Sequence, residues 1–343
     1  MSLPPVDIPL GAMRFNSDSH KLEYWNGESW FQVKTFSPTL DGGVRGVTMG
    51  GRIPGGNTNR VEFFTVDVAS DATDFGDLTQ TRRRTQGCAS ATRSFMFGGS
   101  EPGGSSGYNR IDFVTFSTTG DATDFGDQTT ELRSPGSVSN ATRGITGGGS
   151  VGYPSGSQTN IIEFITMAHS GNTIDFGDLT QARDYPGTVN SPTRGVFAGG
   201  ADYPSFFNTI DFITIASQGI NASDFGDLVQ AAQGVAGNCN SVTGIFAHTY
   251  GPAYSQNVTK INMASTGNSV NFAERTHIST PTQGASSSTR GVFCGGYAPS
   301  PTPYTDSMEY LAFATGGTGV DFGNLTQALA ANVTASNGHG GLG

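Results

Sequence analysis

The chain has 343 residues and a formal net charge of −10, with 13% of residues charged, 50 glycines and 3 cysteines. No basic stripe is available to neutralise phosphates, which argues against a nucleic-acid partner. An odd number of cysteines without a close pair implies no disulfide framework, and no run of 18 apolar residues offers a membrane-spanning helix. Glycines gathered in paired turns point to an all-β fold.

Residues 1–35 stand outside the pattern that fills the rest. Met1 to Leu10 has neither a basic segment nor a long apolar one, so a signal peptide is not expected. Met13-Arg14-Phe15, Lys21 to Trp25 and Trp30 to Val33 read as three short strands, with Asn16 to Ser19 and Asn26-Gly27 turning between them. Strands this few and short cannot bury a core alone. The module is therefore expected to dock on a larger assembly, with Trp25 and Trp30 buried there.

Residues 36–343 repeat. Asp74-Phe75-Gly76, Asp124-Phe125-Gly126, Asp175-Phe176-Gly177, Asp224-Phe225-Gly226, the degenerate Asn271-Phe272-Ala273 and Asp321-Phe322-Gly323 start 50, 51, 49, 47 and 50 residues apart. Twenty residues after each start come Ser94, Gly144, Gly195, Gly244, Gly291 and Gly341. From there to the next triplet the interval varies between 27 and 31 residues, so free-length loops lie in that half.

Each repeat supplies four strands: one of the type Arg194 to Gly200, one of the type Thr209 to Ile215, one starting at the triplet, and a small-residue segment such as Pro186 to Pro192. A period near fifty with a double glycine closing one strand predicts a kelch-like β-propeller. Six Arg-type strands begin at Arg45, Arg93, Arg143, Arg194, Thr243 and Arg290. The segment Thr326 to His339 has no such strand after it, and Arg45 has no segment before it. The expectation is a six-bladed propeller closed by pairing of the C-terminal strand into the first blade, which removes open sheet edges.

Within a blade, Arg45, Arg93, Arg143, Arg194 and Arg290 share one position and Glu62, Asp112, Glu163, Asp211 and Glu309 another. The fifth repeat, with Thr243 and Asn262, lacks both, so each Arg is expected to pair with its own acid. Arg82-Arg83-Arg84 reads as a solvated strand edge. Cys88 and Cys294 read as small core residues.

Little of this pattern reads as chemistry. Asp-Phe-Gly is the magnesium triplet of protein kinases, but the lysine, glycine-rich loop and His-Arg-Asp loop of those enzymes are missing. The acids Asp71, Asp74 and Asp77, echoed at Asp121, Asp124 and Asp127, read as turn and strand caps rather than a calcium loop. His20, His169, His248, His277 and His339 fall at unrelated repeat positions, which gives zinc no support. No nucleophile elbow, phosphate loop or acid pair is present, so neither a cofactor nor an enzyme is expected.

The repeats Thr-Arg-Gly-Val-Phe-Ala-Gly-Gly and Asp-Phe-Gly-Asp-Leu-Thr resemble those of kelch-like propeller virion proteins of tailed bacteriophages, of the cyanophage kind. The opening Gly11 to Asn16 and Trp25 to Trp30 is similar to segments of phage tail-fibre proteins. The resemblance implies a structural protein of the virion, made in the host cytoplasm and bound to other virion proteins. It implies a tail fibre or a decoration, and a homotrimer as the oligomer. A host-surface glycan or protein is the ligand expected. A purely architectural decoration, or a glycan-active enzyme, would be the alternatives.

The candidate binding rim comes from the variable loops after the double glycines. They carry Tyr108, Tyr153, Tyr203, Phe206, Phe207, Tyr250, Tyr254, Tyr297 and Tyr304, with prolines beside them. Equivalent propeller loops emerge on one face, and tyrosine offers an apolar ring and a hydroxyl at low conformational cost.

Overall fold

A computed structural model describes residues 8–16, 21–32, 43–101, 103, 107–152, 156–251, 253–277, 283–297 and 304–342. The chain divides into two units, Met1–Gly42 and Gly43–Gly343. In the first, Met13–Asn16, Lys21–Trp25 and Trp30–Gln32 form an antiparallel three-stranded sheet. Trp25 pairs with Trp30 across strands, and Arg14 lies over the Trp30 ring at 4.1 Å while bonding the buried Glu23. Both tryptophans are half-buried on that face. Alternation puts Met13, Tyr24 and Phe31 in one exposed row, with Phe15 beside them.

Among the described residues the second unit is built of six sheets with four antiparallel strands each, one of which gains a fifth, parallel strand, and two short two-stranded hairpins. Sheet 1 contains Val333–Ser336, Arg45–Ile53, Gly56–Thr65 and Thr73–Asp77. Sheet 2 contains Gln86–Ala89, Arg93–Phe97, Tyr108–Thr115 and Thr123–Leu132. Sheet 3 contains Gly136–Ser139, Arg143–Gly147, Ile161–Thr166 and Ile174–Asp178. Sheet 4 contains Gly187–Asn190, Arg194–Ala198, Thr209–Thr214 and Ser223–Asp227. Sheet 5 contains Ala236–Cys239, Thr243–Ala247, Asn257–Asn262 and Val270–Glu274, with Gly317–Thr318 added in parallel at its edge. Sheet 6 contains Ala285–Ser286, Arg290–Tyr297, Tyr304–Ala312 and Val320–Leu329. We call the first-named strand of each sheet inner and the fourth outer. Sheet 1 thus takes its inner strand from far along the chain, Val333 opposite Met49 and Ser336 opposite Gly46.

The repeated triplet has a structural cause. In sheet 4, Ile210 pairs with Gly226 and Asp211 with Asp224, leaving Phe225 as the extra residue of a β-bulge. The bulge turns Phe225 inward, where it is buried. Gly226, at φ 145°, is met by the loop of the next sheet: a Cβ there would lie 2.6 Å from Gly267 carbonyl atoms. The same approach recurs between Gly323 in sheet 6 and Ser70 in sheet 1.

The core lies between sheets. One apolar cluster joins Phe225 and Val196 of sheet 4 to Phe246 and Ile261 of sheet 5, and another joins Phe322 and Met308 of sheet 6 to Phe64 and Val66 of sheet 1. Each buried phenylalanine contributes about 1.5–3 kcal/mol by leaving water. Neighbouring inner strands also touch, from Gln86–Ala89 against Gly136–Ser139 round to Val333–Ser336 against Gln86–Ala89.

The expected pairing of each repeat Arg with its own acid is not what forms. Arg194 stacks on Phe212 at 5.0 Å and donates to the Met263 carbonyl of sheet 5 at 3.1 Å. Arg93 and Arg143 likewise stack on Phe113 and Phe164 and donate to Met167 and Ile215 of the following sheet. The acids instead hold the linker that enters their sheet. Thr79, Thr129, Thr180, Thr276 and Thr326 donate to Asp112, Glu163, Asp211, Glu309 and Glu62. In sheet 5 the acid's equivalent is Thr259, opposite Phe246, not Asn262, and the linker residue is Val229. The joint loss is therefore of a Thr–acid pair.

Arg82-Arg83-Arg84 is not a solvated edge either. Arg82 is wholly buried, 2.7 Å from the equally buried Asp112. Arg183 pairs in the same way with Asp211, and Arg275 with Glu309.

Candidate ligand-binding site

Among the described residues, five of the linkers entering the inner strands are joined through their backbones in one row. Ten residues after each triplet start stand Arg84, Ser134, Tyr185, Gly234 and Ala331, all with φ between 52° and 63°. Arg84 N donates to Ala331 O (3.1 Å), Ser134 N to Arg84 O (2.8 Å), Tyr185 N to Ser134 O (2.9 Å) and Gly234 N to Tyr185 O (3.2 Å). The sixth equivalent, Pro281, lies outside the described residues. A left-handed backbone at a non-glycine residue costs about 1–2 kcal/mol, so this conformation is held by its surroundings.

Against this row opens a cavity of about 320 Å3. Its walls include Tyr250 and Tyr254 of the sheet 5 loop and Tyr297 and Tyr304 of the sheet 6 hairpin, with Tyr185, Arg52, Arg83 and Arg84. Tyr297 and Tyr304 meet edge to face at 5.9 Å, and Tyr250 packs on Tyr254 at 5.2 Å. Phe206, from the short hairpin Ala201–Asp202 and Ser205–Phe206, packs on Tyr250 at 5.6 Å. Loss of water, then the neighbouring Tyr297 and Tyr250, push the Tyr254 hydroxyl above its ordinary pKa.

The cationic side of the cavity is ordered by the same rings. Arg52 lies 5.9 Å from the Tyr304 centroid and Arg84 6.0 Å from that of Tyr185. Burial, then the like charges of Arg84 and Arg52, lower the pKa of Arg83, whose Nε is buried without a hydrogen-bond partner. Nearby, burial raises Asp184 to about 6 against the opposing pull of Arg84 and Arg133.

No known protein-family model matches the chain, and no curated protein is recognisably similar to it in sequence. The site must be read from its own geometry. Four of the expected aromatics, Tyr250, Tyr254, Tyr297 and Tyr304, come together in the cavity, with Phe206 packed on Tyr250. Tyr108 is half-buried at the start of its strand, and Tyr203, 76% exposed, sits on the hairpin of Ala201–Asp202 and Ser205–Phe206. The described wall includes neither, and Tyr153 lies outside the described residues. Sequence reasoning missed Tyr185, Arg83 and Arg84 because they belong to the linkers and not to the variable loops. The available signal was the tenth position after the triplet, where the residue type changes from repeat to repeat.

The inner strands enclose only about 20 Å3, room for little beyond a water. There Ser139 Oγ donates to Ala89 O, Ser336 Oγ to Ser286 O, and Asn190 Nδ2 to Ser139 O. His339 bridges this polar belt: its Nε2 lies 2.7 Å from Ala89 O and its Nδ1 2.8 Å from Asn190 Nδ2. Since Ala89 O can only accept, Nε2 carries the proton and Nδ1 accepts, which is the neutral imidazole. Burial lowers His339 to about 4, against the favourable bond to Ala89 O. Gly341, the last of the equally spaced glycines, follows it in the 3-10 turn Gly340–Leu342, not in an Arg-type strand.

Among the described residues no cluster of three His, Cys, Asp or Glu side chains could hold a metal ion. The acids near the triplets cap backbone: Asp121 accepts from Asp77 N at 3.0 Å and Asp71 from Asn324 N at 2.9 Å.

Proposed function

We propose that the six sheets are the blades of a six-bladed, kelch-like β-propeller and that the chain is a non-enzymatic virion protein of a tailed phage. Support for the ring comes from the pairing of Val333–Ser336 on Arg45–Ile53 and from the apolar cluster shared by sheets 6 and 1, which repeats the packing between the other neighbours. In this reading the three-stranded N-terminal module attaches the protein, as a homotrimer, to other virion proteins. Its exposed row of Met13, Tyr24 and Phe31, with Phe15 alongside, is the apolar surface such docking uses.

The observation that carries the function is the tyrosine-walled cavity. One tilted and one edge-to-face pair of tyrosine rings suit the mixed apolar and polar faces of a sugar. The volume falls at the small end of the range for small-molecule sites, about 300–1,000 Å3. The ligand is a glycan of the host surface. Two measurements test this. Mass spectrometry of purified particles should find the protein among virion components, and the isolated protein should adsorb saturably to host cells. Its absence from particles would overturn the virion assignment, and absent adsorption would leave an architectural decoration.

A further inference from the structure

The geometry points to an acidic saccharide, a sugar carrying a carboxylate or sulfate group, as the ligand of the tyrosine-walled cavity. The inference rests on the glycan-binding reading above and narrows its ligand class. Three guanidinium groups, Arg52, Arg83 and Arg84, converge on a cavity whose described wall holds no Asp or Glu, in a protein of net charge −10. The three like charges raise one another's energy; Asp184, outside the described wall, attracts Arg84, and an incoming anion relieves the remainder. Two of the three lie at the edge of cation–π range of a wall ring, Arg52 5.9 Å from Tyr304 and Arg84 6.0 Å from Tyr185, which keeps them beside the cavity. Arg83 Nε is a buried donor without a partner. A planar carboxylate or a sulfate can accept two parallel N–H bonds from a guanidinium fork, which a neutral hydroxyl cannot match.

The tyrosines decide between a sugar and a simple anion. Small anions bind to backbone N–H groups and cations alone, whereas this cavity sets aromatic rings opposite its arginines. A nucleic-acid strand is the weaker fit, because its repeated phosphates require a basic track and three arginines in one pocket do not make one.

The test is calorimetric titration of the full chain with a galacturonic-acid trisaccharide, its carboxyl-reduced neutral counterpart, a sulfated galactose trisaccharide and a short single-stranded oligonucleotide. At low salt either acidic trisaccharide should bind at least tenfold more tightly than the neutral one, and the preference should shrink as salt rises. Arg84→Gln and Arg52→Gln should each bring the binding of the acidic trisaccharides down toward that of the neutral one. Arg60→Gln, away from the cavity wall, should change nothing. Which acidic probe binds more tightly distinguishes carboxylate from sulfate recognition. Equal binding of acidic and neutral sugars, or full preference in both arginine variants, would overturn the acidic ligand while leaving the glycan reading intact. Binding of no sugar would overturn both, as would preference for the oligonucleotide.

Discussion

Arg183 Nη2 lies 2.9 Å from Asp211 Oδ2, and neither side chain is reached by solvent. Thr180 of the same linker donates to both oxygens of that carboxylate. The linker carrying Tyr185 is thus fastened to sheet 4 by two anchors just before it reaches the cavity wall. Removing one member of a buried pair strands the other, at a cost of about 3–5 kcal/mol. Asp211→Ala should therefore lower the unfolding free energy by about that amount in urea denaturation. Arg194→Ala, which removes one partly exposed carbonyl cap and a ring contact, should cost about 1–2 kcal/mol. Equal losses would contradict the assignment of Asp211 to Arg183.

The cavity separates the aromatics by role. Tyr250→Ala combined with Tyr304→Ala should leave folding intact but abolish adsorption to host cells, since one ring comes from each side of the wall. Tyr203→Ala should adsorb as the wild type does, because Tyr203 is outside the described wall. Adsorption assays on the three proteins, with matched melting curves, check this. Loss of adsorption in the Tyr203 variant would move the site to the hairpin tips.

Acid should loosen the protein through its buried histidines. His339 and His248 are each lowered to about 4 by burial, from an ordinary 6.5. A folded-state pKa below the unfolded one means the unfolded chain takes up protons first. The stability these residues supply is complete above about pH 6.5 and is lost progressively as the pH falls toward 4. Each contributes at most about 3 kcal/mol over that window. His339→Asn should be less stable at pH 7.5 and show a shallower decline between pH 6.5 and 4, measured by thermal melts. An unchanged slope would refute the neutral, bridging imidazole.

Strain in the linker row beside the cavity can be measured. Ala331 holds φ 52°, a conformation glycine adopts freely. Ala331→Gly should raise stability by about 1 kcal/mol, and Ala331→Val, with a branched Cβ, should lower it. A destabilised glycine variant would show that the backbone there is not strained.

Much of the strand pattern was legible in the sequence because it is written six times. The triplet marks a bulge and a close approach between sheets, and both constraints act locally on Phe225 and Gly226 and their counterparts. Pair identities were not legible. Arg82, Arg183 and Arg275 sit eight, eight and four residues after their triplet starts, and the other three repeats place no arginine at either position. A partner supplied at drifting positions leaves no periodic trace, whereas the exposed Arg of Arg194 type does, and it drew the acid to itself on paper. The cavity was half legible. Loop tyrosines announce themselves by composition, but Arg83, Arg84 and Tyr185 line it only because distant linkers meet through their backbones.

The inner strand of sheet 1 has a consequence for synthesis. Thr48 and Thr334, whose hydroxyls meet at 3.0 Å in the interior, are 286 residues apart in sequence. On the ribosome Arg45–Ile53 emerges early and must wait, its free edge unpaired, until Val333–Ser336 has left the exit tunnel. Sheet 1 is then the last to be completed although it begins first, and a nascent chain stalled anywhere before residue 333 carries an open strand able to capture a neighbour's. Polysomes crowd nascent chains together, so the interval between those two strands sets how long each molecule is exposed to mispairing with its siblings.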